Sequence, residues 1–412
     1  MEKLLFIEAN TTGTGMIAIQ RAKELNLQPV FLTNNPDRYA DLFNQGCEII
    51  ICDTNNISEL IETIDYHFKA EEIRGITTTS EFYIYNVSVL TEKYNLNGNH
   101  PNVIKNVRHK GTVRELLKWS KALYQPKYLI IESIEGLTEV KENILFPCIV
   151  KPVDDSGSNG VLQCDNFETV KIQVKELLSM ETNIRNQEKI RAVLIEELVE
   201  GQEYSVETLS HKGSHQIVGL TEKSVESAPF FVENGHIFPA PDIDCYSKTI
   251  QTGVMEILDI LGWETGPAHI EFKMKDNKIF LVEFNGRLAG GMIPVLISYA
   301  TGLDLVKEQI KAAAGIGPSL EPSLKQFAGI RFLMSNQSGE VAKITGLDGM
   351  RIPGIIEAKC RIDIGENVEK IKNAYGRFGH IIAVSTDYEE LTKKLTNAIN
   401  QIKVEVKERI HL

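Results

Sequence analysis

The sequence predicts a multidomain fold that combines α/β and α+β architecture, and three observations support this. The first part of the chain alternates short apolar runs with helical stretches, which is typical of a parallel sheet. A linker and a helix at about 96–125 lead into a strand-rich region that ends near residue 290, and two helical stretches and the glycine- and proline-containing segment 315–322 follow it. Several strands and one long helix, with Leu391 and Leu395 on one face, come last. The predicted domains are 1–95 (α/β with a parallel sheet), 96–314 (strand-rich) and 315–412 (a C-terminal α+β subdomain).

Charge and composition exclude several classes of partner. The 412 residues include 44 lysines and arginines against 56 aspartates and glutamates, which gives a net charge of −12. A nucleic-acid backbone or an anionic membrane surface attracts clustered cations, so neither is expected as a main partner. No apolar run approaches the ~20 residues that span a bilayer. The six cysteines form no C-x-x-C pair, which favours reduced thiols and a cytoplasmic protein.

The N-terminal prediction rests on four apolar runs of strand length. These runs are Leu4 to Ile7, Val30 to Leu32, Ile49 to Ile51 and Ile73 to Ile76. The turn after the first run contains G-x-G-x-x-A at 13–18, a pattern that also occurs in nicotinamide-dependent enzymes. Such enzymes place an acid after the second strand, but Thr33-Asn34-Asn35 stands there. The pattern therefore favours a tight turn that opens a helix, with an NAD-binding dehydrogenase domain as the alternative.

A predicted strand that ends in a lysine precedes a loop of small residues. The strand includes Ile149 to Pro152, with Lys151 near its end, and the loop covers 154–160. Small residues let backbone N–H groups approach phosphate oxygens, and the lysine adds a positive charge. The segment therefore predicts a phosphate-binding loop, with an ordinary β-hairpin loop as the alternative.

Two alternating segments around residue 276 predict a β-hairpin with one apolar face. A three-residue loop gives a register in which 269 pairs with 285, 271 with 283 and 273 with 281. The apolar face then holds Ile270, Phe272, Met274, Phe280, Val282 and Phe284.

The opposite face of this hairpin is polar. It holds His269, Glu271, Lys273, Glu283, Asn285 and Arg287. The two glutamates face each other and repel unless a cation lies between them. Carboxylate and amide oxygens are the ligands that Mg²⁺ prefers, together with substrate phosphates, and arginine is suited to hold a phosphate. The face therefore predicts a metal site, with a solvated surface balanced by Lys273 and Arg287 as the alternative.

A third element covers 193–206, where an apolar strand, an acidic bend and a second strand follow each other. Such a bend could receive an adenine against backbone atoms, and Glu203 could accept hydrogen bonds from ribose hydroxyls. The alternative is two strands joined by an ordinary turn.

These three elements, in this order and spacing, resemble the ATP-grasp superfamily of carboxylate-amine ligases. The resemblance rests on Lys110, Lys151 with the loop after it, the bend at 196–199, Glu203, and Glu283-x-Asn285-x-Arg287. Within the superfamily the chain looks most similar to bacterial L-amino acid ligases, which join two amino acids into a dipeptide. Glu233 and His236, and the glycine-bearing segment 287–292, carry this closer resemblance. It implies an ATP-grasp domain at 96–314, preceded by the α/β domain.

The resemblance also implies roles for individual residues. ATP would be bound by Lys110, Lys151, Ser156, Gly157, Ser158, Gly160, Glu196, Glu197, Val199 and Glu203, with the lysines and the loop at the phosphates, 196–199 at adenine and Glu203 at the ribose. Two Mg²⁺ ions, with Mn²⁺ as an alternative metal, would be held by Glu271, Glu283 and Asn285. The implied catalytic residues are Arg287, Lys151, His236 and Glu233. Among them, Arg287 would hold the transferred phosphate.

The implied reaction is a two-step ligation. ATP activates the carboxylate of one amino acid as an acyl phosphate, a second amino acid forms the amide, and ADP and phosphate are released. The alternatives are a bicarbonate-using carboxylase, a carbamoyl-phosphate type enzyme and a non-catalytic ATP-binding regulator. The expected partners are small-molecule amino acid substrates, without nucleic acid or membrane, and a homodimer is left open.

Two further features concern the choice of substrate. Gly290 and Gly291 leave room beside Arg287, which favours a second substrate larger than glycine or alanine. Glu81 follows the fourth predicted strand, at the edge where parallel sheets bind ligands. We predict it as a helix N-terminal acid capped by Ser80, and selection of a cationic or amino substrate is the alternative.

Overall fold

The structure is a computed structural model. It describes residues 2–11, 14–39, 41–226, 228–241, 247–276, 278–347 and 352–407. Within these ranges the strands form two four-stranded sheets, one eight-stranded sheet and one three-stranded sheet. No helix of the described residues is long and apolar enough to cross a membrane.

The N-terminal sheet is parallel, as predicted. Its strands are β1 (Lys3–Ile7), β2 (Gln28–Thr33), β3 (Glu48–Ile51) and β4 (Ile73–Thr77), in the order β3-β2-β1-β4, and its helices are α1 (Gly15–Glu24), α2 (Ile57–His67) and α3 (Ile84–Lys93). A Cβ at Gly15 would lie 2.0 Å from the carbonyl oxygen of Asn10, so the tight turn that opens α1 requires glycine. Gly13, the first glycine of the same motif, lies outside the described residues.

The second sheet is antiparallel and carries the lysine and the loop predicted to bind phosphate. Its strands are β5 (Tyr128–Ile131), β6 (Cys148–Pro152), β7 (Leu162–Cys164) and β8 (Val193–Glu197), in the order β5-β8-β6-β7, and the helices of this region are α4 (Pro101–Arg108), α5 (Lys110–Leu116), α6 (Ile134–Glu139) and α7 (Phe167–Ser179). Val150, Val174 and Val193 are buried together between α7 and the sheet. This packing fixes the strand that presents Lys151.

The eight-stranded sheet extends across the predicted boundary at 315–322. Its strands are β9 (Gln202–His211), β10 (Ser214–Val225), β11 (Glu233–Phe238), β12 (Gly266–Lys275), β13 (Lys278–Asn285), β14 (Phe327–Leu333), β16 (Ile355–Cys360) and β18 (Gly379–Ser385), in the order β13-β12-β9-β10-β11-β14-β18-β16. The three-stranded sheet contains β15 (Gly339–Thr345), β17 (Asn367–Val368) and β19 (Lys403–Lys407), and the remaining helices are α8 (Ser247–Leu261), α9 (Ile293–Thr301), α10 (Leu305–Ala313) and α11 (Tyr388–Gln401). The division into three domains stays a prediction, whereas the mixed α/β and α+β fold class is confirmed.

The predicted hairpin forms between β12 and β13, with one error in its register. His269 pairs with Asn285 and Glu271 with Glu283, as predicted. Lys273, however, pairs with Phe280 instead of residue 281. The register shifts by one residue at a β-bulge next to the Glu271–Glu283 pair. A tight turn pairs Lys275 with Lys278, so β13 has one residue more than β12 between the turn and the Glu271–Glu283 pair, and the bulge accommodates this residue.

The bulge also changes which residues of β13 face the core. Phe280 and Val282 line a cleft and are not part of the buried cluster under the hairpin, so their predicted position on the buried face is wrong. Their neighbours Ile279 and Leu281 take that place, each 1% exposed, beside Ile270, Phe272 and Phe284. A one-residue shift exchanges the two faces of a strand, which explains the difference.

The C-terminal helix packs as its apolar spacing predicts. Leu391 and Leu395 of α11 are fully buried against β18 and β14. The described cysteines are free thiols, and Cys148 and Cys164 are buried, while Cys245 lies outside the described residues. This fits the expectation of reduced cysteines.

Candidate active site

One cleft brings almost all predicted site residues together. It has a cavity volume of about 230 Å³ and lies between the second sheet and the eight-stranded sheet. The predicted residues that line it are Lys110, Lys151, Ser156, Gly157, Ser158, Glu196, Glu197, Val199, Glu203, Glu233, His236, Glu271, Glu283, Asn285 and Arg287. Gly160 is not part of the lining, and a Cβ there would approach Leu177 at 2.8 Å. We therefore assign Gly160 to the packing of the loop.

Two lysines mark one end of the cleft. Lys110 Nζ lies 3.2 Å from Glu283 Oε1 and donates to the carbonyl oxygen of Asp155 at 2.5 Å. Lys151 Nζ lies 2.5 Å from Glu196 Oε2, and Arg114 Nε donates to Glu196 Oε1 at 2.6 Å. Burial alone would raise the pKa of Glu196, but the two cations outweigh it and lower this pKa to about 2. Glu196 therefore positions Lys151, and its carboxylate is already occupied.

The loop between β6 and β7 is braced from within. Asp155 accepts hydrogen bonds from Lys189 Nζ at 2.7 Å and from Asn159 Nδ2 at 3.0 Å. Gly157 adopts a φ of 69°, a conformation that favours glycine. The loop is therefore held in shape by its own contacts, and residues 155–159 line the cleft.

The other end of the cleft combines an apolar wall with exposed backbone. Ile149 and Phe280 line it from facing sheets, beside the bend at 197–199 that joins β8 to β9. Lys273 Nζ donates to the carbonyl oxygen of Val199 at 3.2 Å and fixes this bend. A flat apolar ring with polar edges fits such a slot. Phe280 was missed from the sequence because its face depends on the bulge.

Lys223 is the main residue of the site that the sequence did not reveal. It is 2% exposed, and its Nζ lies 3.1 Å from Glu203 Oε1 and 2.6 Å from Glu271 Oε1 and also contacts Glu233. Burial would lower the pKa of Lys223, but the three carboxylates raise it well above its ordinary value. The only signal in the sequence is its alternation along β10.

His269 supplies a second cation next to Glu271. Its Nδ1 lies 2.8 Å from Glu207 Oε1, and its Nε2 lies 2.8 Å from Glu271 Oε1. Burial would lower the pKa of the ring, but Glu207 and Glu271 raise it to about 9. The ring is therefore protonated at neutral pH, and it helps to lower the pKa of Glu271.

We expect His269→Gln to destabilise the chain most at about pH 6 and least at about pH 10. The folded pKa lies above the ordinary value of ~6.5, so the stabilisation is fully present below that value and is lost as pH rises through about 9. The difference corresponds to about 3 kcal/mol. Urea unfolding at both pH values measures it, with the exposed His67→Gln as control. An equal loss at both pH values would contradict the assignment.

Arg287 also lines the cleft, and it is held by Glu81, which follows the last strand of the parallel sheet. Its Nε lies 2.6 Å from Glu81 Oε2, and its Nη2 donates to Asn285 Oδ1 at 3.4 Å. Ser80 makes no capping hydrogen bond to the short helix that begins at Glu81, so the predicted cap is absent. Glu81 thus lies beside Arg287, at the carboxyl edge of the parallel sheet.

Glu233, which contacts Lys223, and His236 line the same cleft. His236 Nε2 is 3.7 Å from Glu233 Oε2, and neither ring nitrogen has a hydrogen-bond partner among the described residues. Burial lowers the pKa of His236 to about 3, so the ring is neutral. A Cβ at Gly291 would lie 2.4 Å from His236 Nε2, whereas no described atom lies within 4 Å of one at Gly290. The predicted room beside Arg287 therefore exists at Gly290 alone.

The donor set of Glu271, Glu283 and Asn285 fits a Mg²⁺ site that substrate phosphates complete. Among the described residues, no group of three or more His, Cys, Asp or Glu converges as a preformed metal site. Two carboxylates and an amide are an incomplete set of hard oxygen donors, and Mg²⁺ is commonly bound by one or two carboxylates together with phosphates. Without such an ion, Lys223 neutralises Glu271 and Lys110 neutralises Glu283.

The chain is similar in sequence and fold to several known proteins. An uncharacterised protein, y4rH, of Sinorhizobium fredii is 27% identical over 403 residues, which cover 98% of this chain and 83% of that protein. Dapdiamide A synthase of Enterobacter agglomerans is 21% identical over 267 residues, which cover 63% of this chain and 62% of that enzyme. The crystal structure of an L-amino acid ligase from Bacillus licheniformis has a TM-score of 0.80 at 19% identity, with 99% of each chain covered.

Two family models match separate parts of the chain. The ATP-grasp domain matches residues 144–295, which contain Lys151 and the β12–β13 hairpin. The L-amino acid ligase C-terminal domain 2 matches residues 331–407. The chain therefore carries an ATP-grasp domain, together with a C-terminal region that matches the domain of that name in L-amino acid ligases.

Proposed function

We propose that the enzyme forms a peptide bond between two amino acids through an acyl phosphate, with release of ADP and phosphate. The observation that carries this proposal is that one cleft contains both the cations suited to bind phosphate and the Glu233–His236 pair. The similarity of residues 331–407 to the C-terminal domain of L-amino acid ligases supports amino acids as substrates over bicarbonate. A homodimer stays a prediction.

ATP would occupy the cleft from the apolar wall to the lysines. Phe280 and Ile149 would flank adenine, the backbone of 197–199 would hydrogen-bond its edge, and Glu203 would accept from the ribose. The carboxylate of Glu196 is occupied by Arg114 and Lys151, so we assign it a positioning role. Enzymes of the ATP-grasp family use ATP with a divalent metal, whereas two Mg²⁺ ions, or Mn²⁺ in their place, stay predictions.

In the first step, a carboxylate oxygen of one amino acid attacks the γ-phosphorus of ATP, and the bond to the β–γ bridging oxygen breaks. Lys110, Lys151 and Arg287 hold phosphate oxygens and stabilise the charge that develops on them. Mg²⁺ at Glu271, Glu283 and Asn285 would supply further charge neutralisation. The backbone of the 154–160 loop covers the phosphates and excludes water.

In the second step, the amine nitrogen of the other amino acid attacks the acyl carbon. The carbon–oxygen bond to phosphate breaks, and the amine loses a proton. Glu233 would hold the incoming amino group, which arrives as an ammonium ion and must lose one proton before it attacks and a second as the amide forms. The neutral ring of His236, whose nitrogens have no partner among the described residues, can accept one proton, and the departing phosphate can take the other. No covalent enzyme intermediate is required.

Glu283→Gln tests the metal assignment. We expect ATP-dependent phosphate release to fall by at least about a hundredfold, because loss of an outer-shell partner already costs 10- to 100-fold and Glu283 is assigned as a direct ligand. Phosphate release is measured with ATP, Mg²⁺ and pairs of amino acids, and the exposed Glu264→Gln is the control. Unchanged turnover of Glu283→Gln would show that the metal lies elsewhere. Release that needs bicarbonate instead of amino acids would favour the carboxylase alternative.

A further inference from the structure

A segment of the C-terminal subdomain, Asn373 to Arg377, reaches the cleft from above. The backbone N–H of Ala374 donates to the carbonyl oxygen of Gly157 at 3.0 Å, and Asn373 Nδ2 donates to Asn159 Oδ1 at 3.3 Å. At its other end, Arg377 Nη2 donates to Glu233 Oε2 at 2.8 Å. One short segment therefore touches both the phosphate loop and the Glu233–His236 pair.

Arg377 is held in place, but not all of its hydrogen-bond donors have a partner among the described residues. Its side chain is 8% exposed, and its guanidinium carbon lies 4.2 Å from the centroid of the Phe332 ring. The guanidinium carries five N–H donors. Its Nε is buried and has no hydrogen-bond partner within the described ranges. Arg377 also lines the cleft, where a ligand could supply that partner. An unsatisfied buried donor is costly unless a ligand completes it.

We propose that Arg377 binds the carboxylate of the amine substrate, an inference that rests on the function proposed above. Arg377 and Glu233 place a cation and an anion side by side, which matches the carboxylate and ammonium groups of a zwitterionic amino acid. Nη2 keeps its bond to Glu233, and the remaining donors are left for the substrate. His236 then lies next to the amine that must lose a proton.

The competing explanation is that Arg377 only neutralises Glu233 or steadies the phosphate loop through Ala374. Lys223 already contacts Glu233, so the pair does not depend on Arg377 alone. If the role of Arg377 is only structural, its substitution should slow the reaction with every nucleophile alike. If Arg377 recognises a carboxylate, its substitution should slow only the reactions of nucleophiles that carry one. This difference can be measured.

The test compares Arg377→Gln with wild type and with Lys372→Gln, which removes an exposed charge from the same stretch of chain. Hydroxylamine serves as a nucleophile without a carboxylate, because it attacks the acyl phosphate, displaces phosphate and leaves a hydroxamate. Each proteinogenic amino acid is screened as carboxyl donor with ATP, Mg²⁺ and hydroxylamine. The best amino acid acceptor is then compared with its own carboxamide.

We expect Arg377→Gln to raise the KM of the amino acid acceptor by about 10- to 100-fold, since a hydrogen bond to a charged group is lost. Hydroxamate formation should be unchanged, and the preference for the free acid over the carboxamide should disappear. Lys372→Gln should keep this preference. Retention of the preference in Arg377→Gln, its absence in wild type, or a parallel loss of hydroxamate would overturn the proposal. Absence of hydroxamate in wild type would instead refute the ligase function itself.

Discussion

Arg287→Ala should lower kcat for ATP-dependent ligation by about a thousandfold or more while the chain stays folded. Arginines that stabilise a transferring phosphoryl group contribute 10³–10⁵ in kcat. Arg287 is suited to this role because its Nε is fixed at 2.6 Å from Glu81 Oε2 and its Nη2 is bonded to Asn285. A cation held in this way needs no reorganisation when charge develops on the phosphate oxygens.

The matched control is Arg74→Ala, because Arg74 is 42% exposed, lies 3.7 Å from Glu2 and does not line the cleft. Single-turnover measurement of ADP formation separates the phosphoryl-transfer step from product release. A kcat of Arg287→Ala within tenfold of wild type, at an unchanged unfolding transition, would contradict a role at the transferred phosphate. A lower melting temperature together with the lower kcat would point to a structural role.

The sequence was sufficient for the fold because the fold follows from periodicity. Runs such as Leu4 to Ile7 alternate with helices. This pattern predicts a parallel sheet without any information from the rest of the chain. The bulge between β12 and β13 was not predictable in the same way. It results from a tight turn at Asp276, with a φ of 49°, combined with a fixed pairing of Glu271 and Glu283. Neither constraint alone requires an extra residue.

The candidate site was predictable where its residues follow one another along a strand. Glu283 and Asn285 share one face of β13, and Arg287 follows the end of the strand at the same two-residue spacing, so the spacing revealed all three. Lys223 and Arg377 gave no such signal, because each is a single cation whose partners come from other strands. Their meaning depends on which strands become neighbours. β9, β10 and β11 follow one another in the chain, but β12 with Glu271 and the strands β14 and β18, which precede and follow Arg377, join them only through long-range pairing.

Lys223→Met should lower the free energy of unfolding by about 3–5 kcal/mol at about pH 8, the range observed when one partner of a buried ion pair is removed. Lys223 contacts Glu203, Glu233 and Glu271, and methionine would fill its volume without its charge. Three carboxylates would then share the interior with too few cations. Urea unfolding measures the loss, and Lys175→Met on the exposed face of α7 is the control.

The pH dependence of this loss separates charge from packing. In the wild type, burial would raise the pKa of Glu233 and Glu271, but Lys223 lowers both, so their contribution is present above ~4.5 and fades as pH falls. In Lys223→Met, these carboxylates can take up protons and relieve their repulsion, so the loss should be clearly smaller at about pH 5 than at about pH 8. A packing defect would cost the same at both pH values. A loss that is constant or that grows as pH falls would therefore show that Lys223 does not neutralise the cluster.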